Sequence, residues 1–490
     1  MTDAPLTVGL VGEVLRSADL LREFRGSGDV GVLGVCQDSR EARSGDLFLA
    51  WQGTGVDAHD FVSDAAARGA VAAVVERFVD VDVPQLRVDD GRKAGAIAAS
   101  AVMGSPHQRM FMVGVTGTNG KTTTAALVRH LLSRRGPTAS IGTLGLTDEK
   151  GVRPGTEALT TPGPVQVAVW LWQLANGGME AVVMEASSHA LEQRRLDGIG
   201  FDVGVFTNLT QDHLDYHKDM AQYFGAKARL VELVAPHGTL VVNRDDPAWN
   251  ALVSGGRPVR TFSVDSEADV RAENVRLGAD GSAFILIIDD TRREVRLPLL
   301  GRYNIENALA AVAVGAVYGL DIDEIVAGLL TVPQVPGRLE AVVTSPFTVI
   351  IDFAHTPDAL DGALSAVQSL TQGRLIVVFG AGGDRDASKR RPMAEAVARF
   401  ADVIVLTSDN PRTEDPERIL DDLAAGLVGS VYERQVDRRA AIRLALETAK
   451  GGDTVVLAGK GHETYQVLGN EKRPFDERVV VRECLQELGA

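Results

Sequence analysis

Residues 110–132, "MFMVGVTGTNGKTTTAALVRHLL", join an apolar run to a helix-like run through a loop of glycine, threonine and asparagine. The first run reads as a buried strand, and the apolar spacing after Lys121 reads as a helix. A strand feeding a helix through so short a loop belongs to a parallel sheet with helices packed on its faces. The loop also carries chemistry. Gly117 and Gly120 allow backbone shapes that aim N–H groups inward, Lys121 can reach β- and γ-phosphates, and the Thr122 hydroxyl can ligate magnesium. With Thr116, Thr118 and Asn119 these residues make a nucleotide-binding loop. The strictest spelling puts a glycine where Val115 stands. Losing it removes one permissive position, but neither the lysine nor the helix N-terminus. ATP is favoured over GTP, because no Asn-Lys-x-Asp reader of guanine follows; "NRDD" at 243–246 lacks the lysine.

At 490 residues the chain exceeds one core and divides into α/β blocks. Residues 1–108 alternate short apolar runs ("DLFLAW", "AVAAVVE", "QLRVDD") with helical stretches, as a small α/β domain. Residues 109–335 hold the nucleotide loop and further strands of a mostly parallel sheet. An antiparallel β patch, from "RAENVRL", "SAFILIID" and "REVRLPLL", is appended to it. Residues 336–490 repeat the strand–helix rhythm as a Rossmann-like α/β domain, with "VPQVPGRLE" before it as a linker. In such sheets, ligands sit beyond the carboxyl ends of the strands. The net charge of −16 argues against non-specific binding to nucleic acid or anionic membranes, and leaves small anionic substrates open. No window reaches the roughly 18 apolar residues of a membrane span. The two cysteines, Cys36 and Cys484, fit no zinc or disulfide spacing, and the first residues form no signal peptide. A cytoplasmic monomer without nucleic-acid or membrane partners is expected.

Further signals follow the strands. "EAVVMEAS" ends a strand at Glu185, where a nucleotide site places a second magnesium contact. "TNLTQDHLDYH" sets Asp212, His213, Asp215 and His217 beyond another strand. His213 pairs with Glu185 as a metal candidate, whereas His217 reads as a solvated loop charge or cap. By pattern alone, Lys227 is a surface helix residue, "DSR" at 38–40 is a capped turn, and Arg195 is an unassigned charge. "VFGAGGDRD" is not a dinucleotide turn, since Arg385 stands near where the third glycine belongs. In "TSDNPR", Arg412 projects from a strand tip with a planar fork suited to a carboxylate.

"TGTNGKTTT", "MEASSHAL", "TNLTQDHLDYH", "YFGAKARL", "VPGRLE", "DFAHTPDAL", "GGDRDASKR", "SDNPR" and "GKGHE" occur in that order. Together they resemble the muramyl ligases of peptidoglycan synthesis, from about Asp38 to Asp476. The resemblance implies an ATP-dependent ligase in which a substrate carboxylate is phosphorylated and the acyl phosphate is attacked by an amine. It implies magnesium held by Thr122, Glu185 and His213, and by Lys227 once CO₂ has converted that lysine to a carbamate. Lys121 then belongs to the catalytic set. Asn307, Arg338 and Asp352 would contact adenine and ribose, and His355 would lie near the phosphates. Ser39 and Thr54 would hold the uridine end of a UDP-muramoyl-dipeptide, with Thr160, Thr161, Ser187, Gln193 and Arg195 along its muramoyl-dipeptide. Arg385, Asp409, Asn410, Pro411, Arg412, Gly459 and Glu463 would form the amino-acid pocket. Within the family, Asp-Asn-Pro-Arg accompanies diaminopimelate, and lysine-adding relatives carry another residue in place of the arginine. The alternatives are L-lysine as the added amino acid, or a folylpolyglutamate synthetase-type ligase. A nucleotide-switched regulatory protein is a reading of another class.

Overall fold

The computed structural model describes residues 6–488 apart from 54, 154, 157, 158, 279 and 280. Among these residues the chain forms three large sheets and a two-stranded hairpin. The first sheet runs in the order Leu21–Arg25, Gln85–Val88, Ala72–Val75, Asp46–Leu49, Gly34–Cys36, and only its Leu21–Arg25 edge is antiparallel.

The central sheet has eleven strands among the described residues. It is parallel from Val270–Gly278 through Val259–Ser263, Val234–Asn243, Phe201–Phe206, Phe111–Thr116 and Ala181–Glu185 to Thr138–Gly142. Successive residues of Phe111–Thr116 feed opposite cores: Val113 and Val115 pack with the nucleotide helix, Met112 with the other face. Burial on both faces is why these strands read as unbroken apolar runs rather than alternating ones. The expected β patch is present: Gly281–Ile288 and Thr291–Leu297 are antiparallel, and Val270–Gly278 joins them to the parallel strands. Far from being a separate unit, it extends the same sheet. Helix Arg302–Tyr318 is buried along Ala308–Gly315 and packs with helix Lys121–Leu132 on one face of the sheet.

The third sheet runs Glu340–Val343, Thr348–Asp352, Thr454–Ala458, Leu375–Phe379, Val403–Leu406, Tyr432–Arg434, antiparallel only at its first strand. Hairpin Tyr465–Leu468 with Glu471–Pro474 lies beside its carboxyl edge, where the Arg412 backbone N–H donates to Val467 O at 3.1 Å. Each large sheet has its own apolar cores, and Leu300 with the helix residue Tyr303, from the second domain, packs against the core of the third.

Candidate active site

The nucleotide loop leaves the strand Phe111–Thr116 and enters the helix Lys121–Leu132 through Gly120. Gly117 (φ +148°) and Gly120 (φ +82°) hold left-handed backbone, and a Cβ on either would collide with the Thr207 hydroxyl or the Asn307 amide oxygen. Val115, where the strict motif has glycine, lies inside the strand and is fully buried. That position needs no left-handed freedom, so the loop is simply shorter. Lys121 Nζ folds back to donate to Gly117 O (2.9 Å) and Thr118 O (2.7 Å). Burial lowers its pKa, against the opposing pull of Glu185 and Asp212.

A cavity of about 560 Å³ opens over this loop. From the central domain it is lined by Thr118, Asn119, Gly120, Lys121, Thr122, Thr160, Glu185, Ser187, His213, Lys227 and Asn307, and from the third domain by Arg338, Asp352 and His355. Thr116 lies beneath the loop, its hydroxyl donating to Ala186 O at 2.8 Å. Side chains cross the domain boundary here. Arg338 Nη2 donates to Thr122 Oγ1 (3.1 Å), and Asp358 Oδ2 accepts from both Asn119 Nδ2 (2.9 Å) and Thr210 Oγ1 (3.1 Å). Lys389 Nζ stands 4.0 Å from Asp212 Oδ1.

Glu185, at the tip of its strand, is 2 % exposed; its oxygens accept from Thr122 Oγ1 (3.0 Å), Thr143 N (2.8 Å) and Thr143 Oγ1 (3.0 Å). Lys227 is 1 % exposed, contrary to its surface-helix pattern. Its Nζ donates to Gly117 O at 2.6 Å and sits 4.5 Å from the Tyr223 ring centroid. Burial, then the neighbouring Lys121 charge, pushes its pKa well below that of a free lysine. Desolvation lowers the His213 pKa, against the pull of Asp212, while 44% of its side chain stays exposed. His217 is not solvated: it is buried, with Nε2 2.9 Å from Ser188 Oγ. Its ring packs on Tyr223 of the next helix, Met220–Ala228, and on His189, whose approach from a distant segment the loop-like sequence hides.

Among the described residues no three His, Cys, Asp or Glu side chains come together as a metal cage. Magnesium bound with a nucleotide keeps water and phosphate ligands and takes only one or two protein oxygens. Glu185 and the Thr122 hydroxyl, 3.0 Å apart at the helix N-terminus, fit that demand.

The remaining candidates fall into three places. Thr161 Oγ1 donates to Glu185 O (2.6 Å) and receives Ser187 N (3.1 Å); Arg195 Nη1 donates to Thr161 O (2.7 Å), and its Nη2 to Gln193 Oε1 (2.7 Å). These four therefore form one polar line running from the cavity, and among the described residues no carboxylate pairs with Arg195. Ser39 lies apart, on a cavity of about 1180 Å³ shared by the first domain and residues Gly163, Val165, Gln166 and Val169. Asp38 caps its short 3₁₀ turn as the sequence suggests. Thr54 is outside the described residues.

The third place is the strand tips of the third sheet, whose candidates do not line the nucleotide cavity. Asn410 Nδ2 donates to Glu463 Oε2 at 2.9 Å, Gly383 N donates to Asn410 O at 2.9 Å, and Pro411 and Gly459 close on neighbouring loops. Arg412 has φ +53° and donates from Nη1 to Gly383 O at 2.7 Å. Burial, then the nearby Arg385 charge, lowers its pKa, and among the described residues no carboxylate forms an ion pair with it. Asn307 and Asp352 are also engaged internally. Asn307 bonds Thr124 Oγ1 and Asn304 Oδ1, and Asp352 accepts from Leu339 N and Ala354 N.

Sequence reasoning passed over four residues. Asp358, Lys460 and Tyr223 lie inside quoted motifs, "DFAHTPDAL", "GKGHE" and "YFGAKARL". Thr143 carries no motif signal at all.

Residues 32–119 match the model described as Mur ligase family, catalytic domain; 115–315 match the Mur ligase middle domain; 337–461 match the Mur ligase, glutamate ligase domain. A UDP-N-acetylmuramoyl-L-alanyl-D-glutamate–2,6-diaminopimelate ligase of Geobacillus kaustophilus is 43% identical, over 94% of this chain and 96% of its own. One of the same name from Geobacter sulfurreducens is 44% identical, over 96% of each. A solved structure of a ligase of that name shares 32% identity and a TM-score of 0.70, covering 96% of this chain and 98% of its own.

Proposed function

The chain belongs to the Mur ligase family, and we propose that it joins meso-diaminopimelate to the D-glutamate side-chain carboxylate of UDP-N-acetylmuramoyl-L-alanyl-D-glutamate, with cleavage of ATP to ADP and phosphate. It is an acid–amino-acid ligase of peptidoglycan precursor synthesis. The observation that carries this reading is 43% identity sustained over 94% of the chain to a ligase named for that reaction. The Asp-Asn-Pro-Arg turn, whose guanidinium meets no carboxylate among the described residues, supports diaminopimelate over lysine as the added residue.

The reaction has two steps. A glutamate oxygen attacks the γ-phosphorus, the bond to the bridging oxygen breaks, and ADP leaves. The amine of diaminopimelate then adds to the acyl phosphate and loses a proton, and phosphate departs with the former carboxylate oxygen. Lys121 would turn from its loop carbonyls to the phosphates, where loop N–H groups and its ammonium gather developing charge. Two bound magnesium ions would add positive charge against the phosphate oxygens; Thr122, on the nucleotide side, and Glu185, His213 and carbamylated Lys227 would share the task of holding them. The carbamate forms when the neutral Lys227 amine adds to CO₂ and releases a proton. Asn307, Arg338, Asp352 and His355 would seat the rest of the ATP across the boundary between residues 109–335 and 336–490. Ser39 and Thr54, in residues 1–108, would hold the uridine end, and the line through Arg195 the muramoyl-dipeptide. Much of the acceleration comes from aligning two bound reactants.

A phosphate-release assay with ATP, the UDP-dipeptide and a panel of amino acids tests the reading. Release should require both the dipeptide and diaminopimelate, and L-lysine should replace the latter poorly. Release that ignores either acceptor or amine would leave a nucleotide-switched protein instead.

A further inference from the structure

Lys460 follows Gly459 at the tip of strand Thr454–Ala458 and is 0 % exposed. Its Nζ donates to Glu463 Oε2 (3.0 Å) and Asn410 Oδ1 (3.2 Å). Asn410 returns a hydrogen bond from Nδ2 to the same Glu463 oxygen at 2.9 Å, and its Oδ1 also receives Val467 N at 2.9 Å. Both hydrogen bonds to Glu463 fall on its Oε2; among the described residues Oε1 has no hydrogen-bond partner. Beside it, Asp409 Oδ2 is buried without a hydrogen bond, although Gln466 Nε2 fixes the Asp409 backbone carbonyl at 2.8 Å. An orphaned carboxylate oxygen and a half-used carboxylate, near the Arg412 guanidinium that forms no ion pair among the described residues, complement a ligand that bears an ammonium beside a carboxylate.

We propose that Lys460 is a positioning residue for the amino-acid pocket: its buried ammonium clamps one Glu463 oxygen and the Asn410 amide, leaving the other Glu463 oxygen and Asp409 for the ammonium of the added amino acid. This rests on the placement of that pocket given above. Without Lys460, Glu463 Oε2 keeps only the Asn410 amide, and its side chain is free to turn out of the pocket. That turn removes the carboxylate that the ligand ammonium meets.

Steady-state kinetics on the full chain test this with Lys460→Met, Glu463→Gln and the double variant. Lys460→Met should raise KM for diaminopimelate at least about 30-fold while KM for ATP and for the UDP-dipeptide stay within about threefold. If Lys460 works through Glu463, the double variant should be no worse than the poorer single one. Additive effects, or equal rises in all three KM values, would mean that the lysine merely supports the fold and would overturn the proposal. Should Lys460→Met not be recovered folded, Lys460→Gln, which keeps a donor without the charge, reads the same split. Arg412→Ala separates the two levels. If it leaves KM for diaminopimelate unchanged, the pocket itself is misplaced; if it raises that KM and Lys460→Met does not, only the role of Lys460 fails.

Discussion

Replacing Arg412 offers the sharpest test of which amino acid is added. Its backbone is pinned from both sides, with its N–H on Val467 O (3.1 Å) and its carbonyl receiving Gly469 N (2.7 Å). Arg, Lys and Ala all carry a Cβ, so the strain of φ +53° is common to them and cancels in the comparison. What changes is the guanidinium. One of its nitrogens is spent on Gly383 O (2.7 Å), and the rest of the half-buried fork has no carboxylate among the described residues. A ligand carboxylate docked there forms a charge-assisted bond in a partly desolvated place. Truncation to alanine leaves that carboxylate unpaired at a cost of about 2–4 kcal/mol, or about 30- to 1000-fold. KM for diaminopimelate should rise by that factor in a phosphate-release assay, with KM for ATP within about threefold. Arg412→Lys retains charge but not the fork, so it should fall between wild type and alanine. Discrimination against L-lysine should shrink in step, because L-lysine lacks the second carboxylate. Equal increases in both KM values, or unchanged discrimination, would refute the assignment of Arg412 to the carboxylate.

Three other outcomes are expected. Lys227→Ala should lose most activity and regain part of it with formate or acetate in the buffer; no rescue by any short carboxylate would count against a carbamate. Glu306, on the nucleotide cavity, has its pKa raised to about 7 by burial, with Asp245 adding to the shift. Since the folded value lies above the unfolded one, protonated Glu306 favours the fold below about pH 4.5 and that benefit is gone above about pH 7. Glu306→Gln should therefore raise the thermal midpoint at pH 8 relative to wild type, by at most about 3 kcal/mol of stability, and change it little at pH 4.5; an equal shift at both pH values would exclude titration as the cause. Asp358→Ala removes the acceptor shared by Asn119 and Thr210, so KM for ATP should rise about three- to tenfold. An unchanged KM would show that this cross-domain contact is incidental.

Local features were legible where local pattern decides the structure. The strand, loop and helix around Lys121, the Glu185 strand tip, the antiparallel patch and the Asp38 cap all depend on neighbours within a few residues or on apolar period. Burial of charge was not legible. By pattern Lys227 is a surface helix residue and His217 a solvated loop charge, and Lys460 carries no local sign of its environment; all three are buried, each against a segment distant in sequence. Lys227 reaches Gly117 across 110 residues, and Lys460 reaches Asn410 across 50. Family resemblance supplied a role for Lys227 that its own helix could not. It supplied none for Lys460 or Asp358, whose partners emerge only once strand tips from separate stretches converge.

The central sheet has a mechanical consequence. Its ladder is unbroken from Thr291–Leu297 at one border to Gly151–Val152 at the other. Such a slab cannot shear internally without rupturing rows of backbone bonds, so the spacing between the nucleotide loop and Glu185 stays constant while the ligands come and go. Any swing of the outer domains must be absorbed by the short straps at 104–110 and 332–339, which lie outside every named strand of the large sheets.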